Sequence, residues 1–462
     1  MSDYSAFLER KSQLGGDHGF KPTFLPSFLF DFQSALVQWA VRKGRAAWLV
    51  DCGLGKGPMG LVWSQNVVEH TNQNVLIGCP LAVSHQLVRE GEKFGIEVKR
   101  SGDGKPKGKI TVTNYERIHL FDPSDFGGFW GDESGAIKNH AGVTKGVVVE
   151  FARTLPYRLL GSATSAPNDF IELGTHSEAL GELGFMDMLN RFFRNENNTS
   201  DTGREYAMNG PAPKWRFKGH ASEPFWRWVC SWARAARKPS DLGFDDKDFI
   251  LPPLTENLHI IDKNYVRPGE MFPRVAIGRK EELEEGRATI QDRCEKAAEL
   301  ASSHERSVAW VNLNPEGDFL EKLIPDCVQV SGSDSDEAKE EKILAFLTGQ
   351  AARMVTKGKI AGLGLNLQFC NHAVYFADHS YEKFYQIQRR FWRFGQKNPV
   401  TFDIVTTPGG RNILKNLQRK AKAADEMFFS LVAHMNDAIK LDADRHFTKK
   451  EELPSWLSRI SV

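Results

Sequence analysis

A chain of 462 residues, 41% hydrophobic and 26% charged, is too long for one ordinary domain and has the balance of a soluble globular protein of two or three. Its 60 basic and 59 acidic residues leave a net charge of +1, so no global basic field advertises a polyanionic partner, and any nucleic-acid contact must come from local patches. The six cysteines are scattered with no CxxC pair, which excludes the usual structural zinc patterns and fits a reducing compartment. No apolar run nears the roughly 18 residues a membrane span needs, and the N-terminus lacks a signal peptide's apolar core, so a cytoplasmic protein without membrane contact is expected.

Residues 1–24 are polar and weakly patterned, and form an N-terminal segment. From Pro26, FLFDFQSALVQWAVRKGR has helical amphipathicity and ends near Gly44; AAWLVD (46–51) is a short buried strand that runs into glycines. NVLIGCP (74–80), KITVTNY (109–115) and YRLLGSAT (157–164) are further apolar strands, with helical stretches such as LAVSHQLVREGEKFG between them. Strands alternating with helices imply a parallel sheet covered on both faces. The rhythm changes after Gly181: residues 183–250, rich in Phe, Trp and Arg, suggest a helical insertion, and Trp226, Trp228 and Trp232 fall mostly at helical core spacing. LPPL (251–254) marks a boundary, and HIIDKNY (259–265) opens a second series. A charged helix near 280–303 follows, then five apolar strands in SVAWVNLN, DCVQVSG, ARMVTKG, HAVYFAD and VTFDIVTT, and a charged helical tail. The expected organisation is a first α/β lobe over 25–250, a second over 255–440 and a tail over 441–462.

Three strings carry chemistry. DCGLGKG (51–57) follows a strand and precedes a helix; its glycines let backbone N–H groups wrap a phosphate, the helix N-terminus adds positive potential, and Lys56 can reach outer phosphates. By itself the string also fits an ordinary glycine-rich turn. FWGDESGAIKNH (129–140) sets Asp132 and Glu133 side by side after an apolar run, a pairing suited to anchoring Mg²⁺ and to orienting and deprotonating an attacking water. YQIQRRFWRFGQ (385–396) places Arg390 and Arg393 on one helix face, where they can neutralise a phosphate or simply be solvated.

Together DCGLGKG, NYERI, DESGAIKN, GSAT, GLGLNLQ and QIQRRFWRFGQ stand in the order of the motor motifs of superfamily-two helicases. The spacing Asp-Glu-x-x-x-Ile-Lys-Asn at 132–139, and Gln386, Arg390, Arg393, Gly395 and Gln396, resemble the Swi/Snf-like branch, most of all the compact helicases encoded by bacteriophages and prophages. The resemblance spans about residues 25–457. It implies two RecA-like P-loop lobes with parallel sheets, ATP and Mg²⁺ as cofactors, DNA-dependent ATPase activity and translocation along DNA. In this resemblance Gln33 reads adenine; Gly53, Gly55, Lys56 and Gly57 hold the triphosphate; Asp132 binds Mg²⁺; Glu133 is the general base; Ser162 and Thr164 couple hydrolysis to movement; Gly364 and Asn366 line the cleft; and Arg390 and Arg393 act as arginine fingers. DNA, mainly duplex, is then met through its backbone by Pro80, Ser84, Thr113, Asn114, Arg117, Thr356, Lys357 and Lys359, on the face opposite the nucleotide. Replication, recombination or nuclease proteins stand open as further partners.

Two departures touch metal positioning. Gly57 occupies the position where a P-loop carries the Ser or Thr whose hydroxyl binds Mg²⁺, and a threonine there is expected to fit beside Pro58. The strand before Asp132 ends Phe-Trp-Gly instead of an aliphatic run. Gly57 supports an alternative, a catalytically weakened motor fold acting as a DNA-binding or scaffolding factor. A nuclease has no carboxylate-plus-lysine cluster outside these strings to support it.

Overall fold

The computed structural model describes residues 16–163, 170–195, 215–262, 265, 266, 270–272, 276, 278–361 and 365–446. Helix α1 (Asp31–Lys43) leads through Gly44 into strand β1 (Arg45–Val50). Helix α2 (Lys56–Thr71), β2 (Asn74–Cys79), α3 (Leu81–Phe94), β3 (Val98–Arg100), β4 (Ile110–Asn114), β5 (Phe126–Asp132), α4 (Val143–Thr154) and β6 (Tyr157–Gly161) follow. They form one parallel sheet in the order β3-β4-β2-β5-β6-β1, completed beside β1 by a later strand, Ala233–Ala236. Helices cover both faces, so the central strands bury nearly every residue and read as unbroken apolar runs. β6 lies between the glycine-loop strand β1 and the acid-pair strand β5.

The segment 183–250 is helical at α6 (Phe185–Phe192) and α7 (Ser222–Trp232), after α5 (Leu173–Leu180). It also contains the short antiparallel pair β7 (Phe193–Asn195) and β8 (Trp215–Phe217), and then β9 (Ala233–Ala236), which joins the main sheet beside β1. Trp226, Trp228 and Trp232 are buried in the core under this sheet.

The second sheet comprises β10 (Leu254–Ile260), β11 (Ser307–Val311), β12 (Cys327–Val330), β13 (Arg353–Lys357), β14 (His372–Phe376) and β15 (Val400–Thr406), all parallel, in the order β10-β15-β14-β11-β13-β12. Its helices are α8 (Arg279–Ala288), α9 (Ile290–Ser302), α10 (Asn314–Leu323), α11 (Asp336–Thr348), α12 (Gly358–Ala361), α13 (Tyr381–Phe391) and α14 (Arg411–His446). The two parallel sheets bear out the expected α/β architecture. The strand expected at 259–265 begins earlier, at Leu254, because β10 is an edge strand whose Thr255–Leu258 are exposed and lack the apolar signature of a buried one. No helix among the described residues is long and apolar enough to cross a membrane.

Helix α14 does not stay with the second lobe. Leu414 packs on that lobe's core, but Met427, Phe428, Leu431 and Met435 belong to the first lobe's core. Cys230 Sγ lies 3.6 Å from Leu431 O, and Arg237 pairs with Asp425 at 2.6 Å while stacking on Phe428. Leu431→Ala should therefore lower stability by about 2–4 kcal/mol, seen as a lower denaturation midpoint of the first-lobe tryptophans.

Candidate active site at the cleft between the lobes

β1 delivers the chain into a loop where Gly53 and Gly55 take φ of 89° and 82°, left-handed values that glycine adopts without strain. A β-carbon on Gly55 would lie 2.2 Å from Gln33 Nε2. Gln33, buried on α1, donates from Nε2 to Leu54 O at 2.9 Å and accepts from the Phe30 N–H at 3.0 Å, so it clamps the loop to α1. Lys56 opens α2 and donates to Val50 O at 2.8 Å. Burial opposes its charge, but Glu133, Cys52, Asp132 and Asp51 outweigh burial and hold the ammonium above its usual pKa.

The acid pair sits at the carboxyl edge of the same sheet. Asp132 is opposite Gly161 of β6, and a β-carbon on Gly161 would meet Asp132 Oδ1 at 3.4 Å and Lys56 Cδ at 3.7 Å, so both side chains crowd one spot. Asp132 Oδ1 is buried without a hydrogen-bond partner among the described residues. Burial first, then the neighbouring Glu133, push this carboxyl up to about 7 against the pull of Lys56. Glu133 has φ 50°, ψ 50°, a conformation rare outside glycine and asparagine that redirects the chain after the strand. The turn is tied down by the Tyr115 hydroxyl, which donates to Asp132 O at 2.8 Å, and by Ser134 Oγ, which donates to Gly161 O and sits 2.9 Å from His176 Nε2. Burial holds the His176 imidazole neutral, its pKa pulled down to about 4. Ser162 is buried next to this turn, its N–H donating to Trp48 O; Thr164 and Gly364 lie outside the described residues. Asn366 is exposed, and its Oδ1 accepts from the Gln368 N–H.

The second lobe reaches this edge through α13. Tyr385 donates from its hydroxyl to Asp51 Oδ1 at 2.8 Å, and Arg389 pairs with Asp51 Oδ2 at 2.6 Å. Burial disfavours the guanidinium charge, yet Asp51 raises its pKa further still. Lys138, six residues past Asp132, pairs with Glu382. Arg390 is buried, and Arg393 has its Cβ 3.3 Å from the place a Gly53 β-carbon would take. Burial lowers the Arg393 pKa; Cys52, Glu90 and Glu133 act against this, whereas Arg390 adds to it, which locates both arginines in electrostatic range of the loop. Phe394 stacks on Phe249 at 4.5 Å and meets Phe30 edge-on, closing the rim of the cleft.

The two sequence departures each have a steric counterpart. A β-carbon on Gly57 would lie 1.9 Å from Glu90 Oε2, so a threonine does not fit here as expected unless Glu90 moves. A β-carbon on Gly60 would lie 2.2 Å from the Trp130 ring, so Gly60 makes the room that this large strand residue needs. No cluster of three or more His, Cys, Asp or Glu able to hold a metal alone exists among the described residues. The donor set nevertheless fits nucleotide-bound Mg²⁺, which takes one or two carboxylates with phosphates and water: Asp132 offers an unpaired oxygen beside Lys56.

The residues expected to meet DNA are less uniform. Pro80 caps α3; Asn114 and Lys357 end strands β4 and β13 and bond Glu116 and Asn314, and Arg117, in the 3-10 turn after β4, donates to Gly102 O. Lys359 lies in α12. Ser84, Thr113 and Thr356 are buried, and the hydroxyls of Ser84 and Thr356 donate to Leu81 O and Val330 O. Sequence reading missed Asp51, Tyr385, Arg389 and Glu90. Tyr385 and Arg389 share the i, i+4 spacing of one helix face and could have been found; Glu90 had no signal.

No family model matches the chain, and no curated protein does. Among solved structures it is similar to the Sulfolobus solfataricus SWI2/SNF2 ATPase core in complex with dsDNA, at 14% identity and a TM-score of 0.40, over 90% of this chain and 96% of that one.

The raised Asp132 pKa sets a sign. In the folded protein the carboxyl stays protonated to higher pH than in the unfolded chain, so its contribution is fully present below about pH 4 and is lost as pH rises towards about 7. Asp132→Asn should therefore be more stable than wild type at pH 8 in EDTA, by roughly 2–4 kcal/mol, with the gap closing by about pH 4; urea denaturation at both pH values checks this. Asp51→Asn should loosen the cleft, because Arg389 then keeps no buried counter-charge at that position, and small-angle scattering should report a larger radius of gyration.

Proposed function

We propose that this chain is an ATP-driven motor of the Swi/Snf-like type that moves along DNA. One observation carries the reading: Lys56 and the Asp132–Glu133 pair, on the carboxyl edge of the first sheet, meet Arg390 and Arg393 from the second lobe at a closed cleft. The six ordered motifs of the sequence supply the chemical roles.

Gly53, Gly55 and Lys56 would hold the triphosphate, with Asp132 beside Lys56 holding Mg²⁺. The metal, when bound, screens phosphate charge. Glu133 accepts the proton of the attacking water, in a turn held rigid by Tyr115 and Ser134. Arg390 and Arg393 neutralise charge that develops on the transferred group, and they can do so only while α13 rests on the loop. Hydrolysis removes the group that both lobes grip, and the lobes separate. One such cycle would advance a lobe along the strand. DNA backbone contacts would fall to the exposed Arg117 and to Lys357 and Lys359, with the buried Ser84 and Thr356 shaping the surface beneath.

In an ATPase assay, DNA should stimulate turnover, and Glu133→Gln should remove it by at least a hundredfold, by the usual size of general-base effects, while ATP binding survives. Wild-type turnover in Glu133→Gln would remove the base assignment. Stimulation should depend little on base sequence and fall steeply with salt, through counterion release from a few Lys and Arg contacts. DNA binding without any ATP turnover would favour the scaffolding alternative instead.

A further inference from the structure

The first turn of α2 lacks a side chain at Gly57, and the space is not vacant. A β-carbon there would fall 1.9 Å from Glu90 Oε2 and 2.9 Å from Glu90 Cδ, so the carboxylate of α3 stands where a residue-57 side chain would begin. Gln86, one turn earlier on α3, donates from Nε2 to Glu90 Oε1 at 2.7 Å and orients the group. The other oxygen, Oε2, is buried and has no hydrogen-bond partner among the described residues. Asp132 Oδ1 is in the same condition, on a residue only 6% exposed. Leaving a buried carboxylate oxygen without a donor costs about 1–3 kcal/mol or more, and two such oxygens near one phosphate-binding loop call for a shared cation. Lys56 spends its ammonium on Val50 O and Asp51 O. A hard divalent ion held by two carboxylates, phosphates and water would satisfy both oxygens.

Resting on the nucleotide reading above, we propose that Glu90 is a divalent-cation ligand that replaces the hydroxyl absent at Gly57. Glu90 and Asp132 together form the protein's share of the Mg²⁺ site. The glycine is then a requirement of the design: it leaves room for a carboxylate that arrives from the neighbouring helix. The competing role for Glu90 is purely electrostatic, holding Arg393, which lies within range of it.

The test is equilibrium binding of ADP to the full chain by calorimetry, with Mg²⁺ and with EDTA, together with Mn²⁺ titration in the presence of ADP followed by electron paramagnetic resonance. Glu90→Gln keeps the size of the side chain. It should weaken Mn²⁺ binding about tenfold or more and leave ADP affinity in EDTA unchanged or improved. Mn²⁺ affinity within twofold of wild type would overturn the proposal. So would an equal loss of ADP affinity with and without metal, which marks a residue that only holds Arg393. If wild type binds no ADP under either condition, the nucleotide reading itself fails, a different outcome from wild type binding ADP–Mn²⁺ and Glu90→Gln doing so equally well. Should Glu90→Gln not fold by circular dichroism, the exchange variant decides. Gly57→Thr/Glu90→Ala should recover Mn²⁺ affinity lost in Glu90→Ala, because the hydroxyl now has the space; no recovery counts against the proposal.

Discussion

The cleft is organised around one buried anion. Asp51 closes strand β1, and a carboxylate taken out of water there costs several kcal/mol unless it is paired and hydrogen-bonded. Cys52 N–H supplies one bond from within the loop, but the compensating charge, Arg389, and the Tyr385 hydroxyl come from the other lobe. The two donors are one turn apart on α13, so satisfying Asp51 fixes both the height and the rotation of that helix. Arg390 follows directly on the helix, whereas Arg393, expected on the same helix face, lies just past the helix end at Phe391. Their position beside the glycine loop is therefore a consequence of neutralising Asp51. Opening the cleft exposes both charges to water, which offsets the loss of their contact, and so the pair favours the closed arrangement without locking it.

A second constraint is space around the first turns of α2. This helix is buried on most sides, with Met59, Leu61, Val62, Trp63 and Val67 all inaccessible. Close packing there forbids independent choices. The Trp130 ring lies where a Gly60 side chain would be, and the Glu90 carboxylate lies where a Gly57 side chain would be. Each departure that looked like a defect in a linear motif is one half of a pair whose other half lies on a different element. The strand ending Phe-Trp-Gly still delivers Asp132 opposite Gly161, because the indole is accommodated by α2 and the strand need not shift.

This explains what could be read from the chain. The two α/β series were legible because parallel strands covered on both faces, such as Val75–Cys79 and Val308–Val311, are continuous apolar runs set off by polar turns. Edge strands were not. β10 is largely exposed, and β9 hides in an Ala-Arg-Ala-Ala stretch that follows a helix. At the candidate site, the strings that carry Gly53, Gly55, Lys56, Asp132 and Glu133 at fixed spacing could be singled out in the sequence, and the fold sets them along one sheet edge. Residues that act by filling space against a distant segment could not be singled out. Nothing near Glu90 in LVREGEKFG distinguishes it from Glu92, which is solvated; only the fold brings it to Gly57.

Helix α14 limits how the lobes can part. It leaves the second sheet after β15, packs Leu414 on that lobe, and then buries Met427, Phe428, Leu431 and Met435 in the first. Burial of four such side chains contributes on the order of 1.5–3 kcal/mol each. The Lys138–Glu382 pair across the cleft is partly exposed, and such pairs contribute about 0–1 kcal/mol. The α13 contact also contains the buried Asp51–Arg389 pair, so the two contacts differ in kind: α14 is held by apolar burial and α13 by charge pairing. α14 thus ties the two lobes together through packing that is separate from the α13 contact bringing Arg390 and Arg393 to the loop. On the proposed motor reading, a cycle of closing and opening calls for a repeatable return, and a 36-residue helix packed on both lobes suits that need.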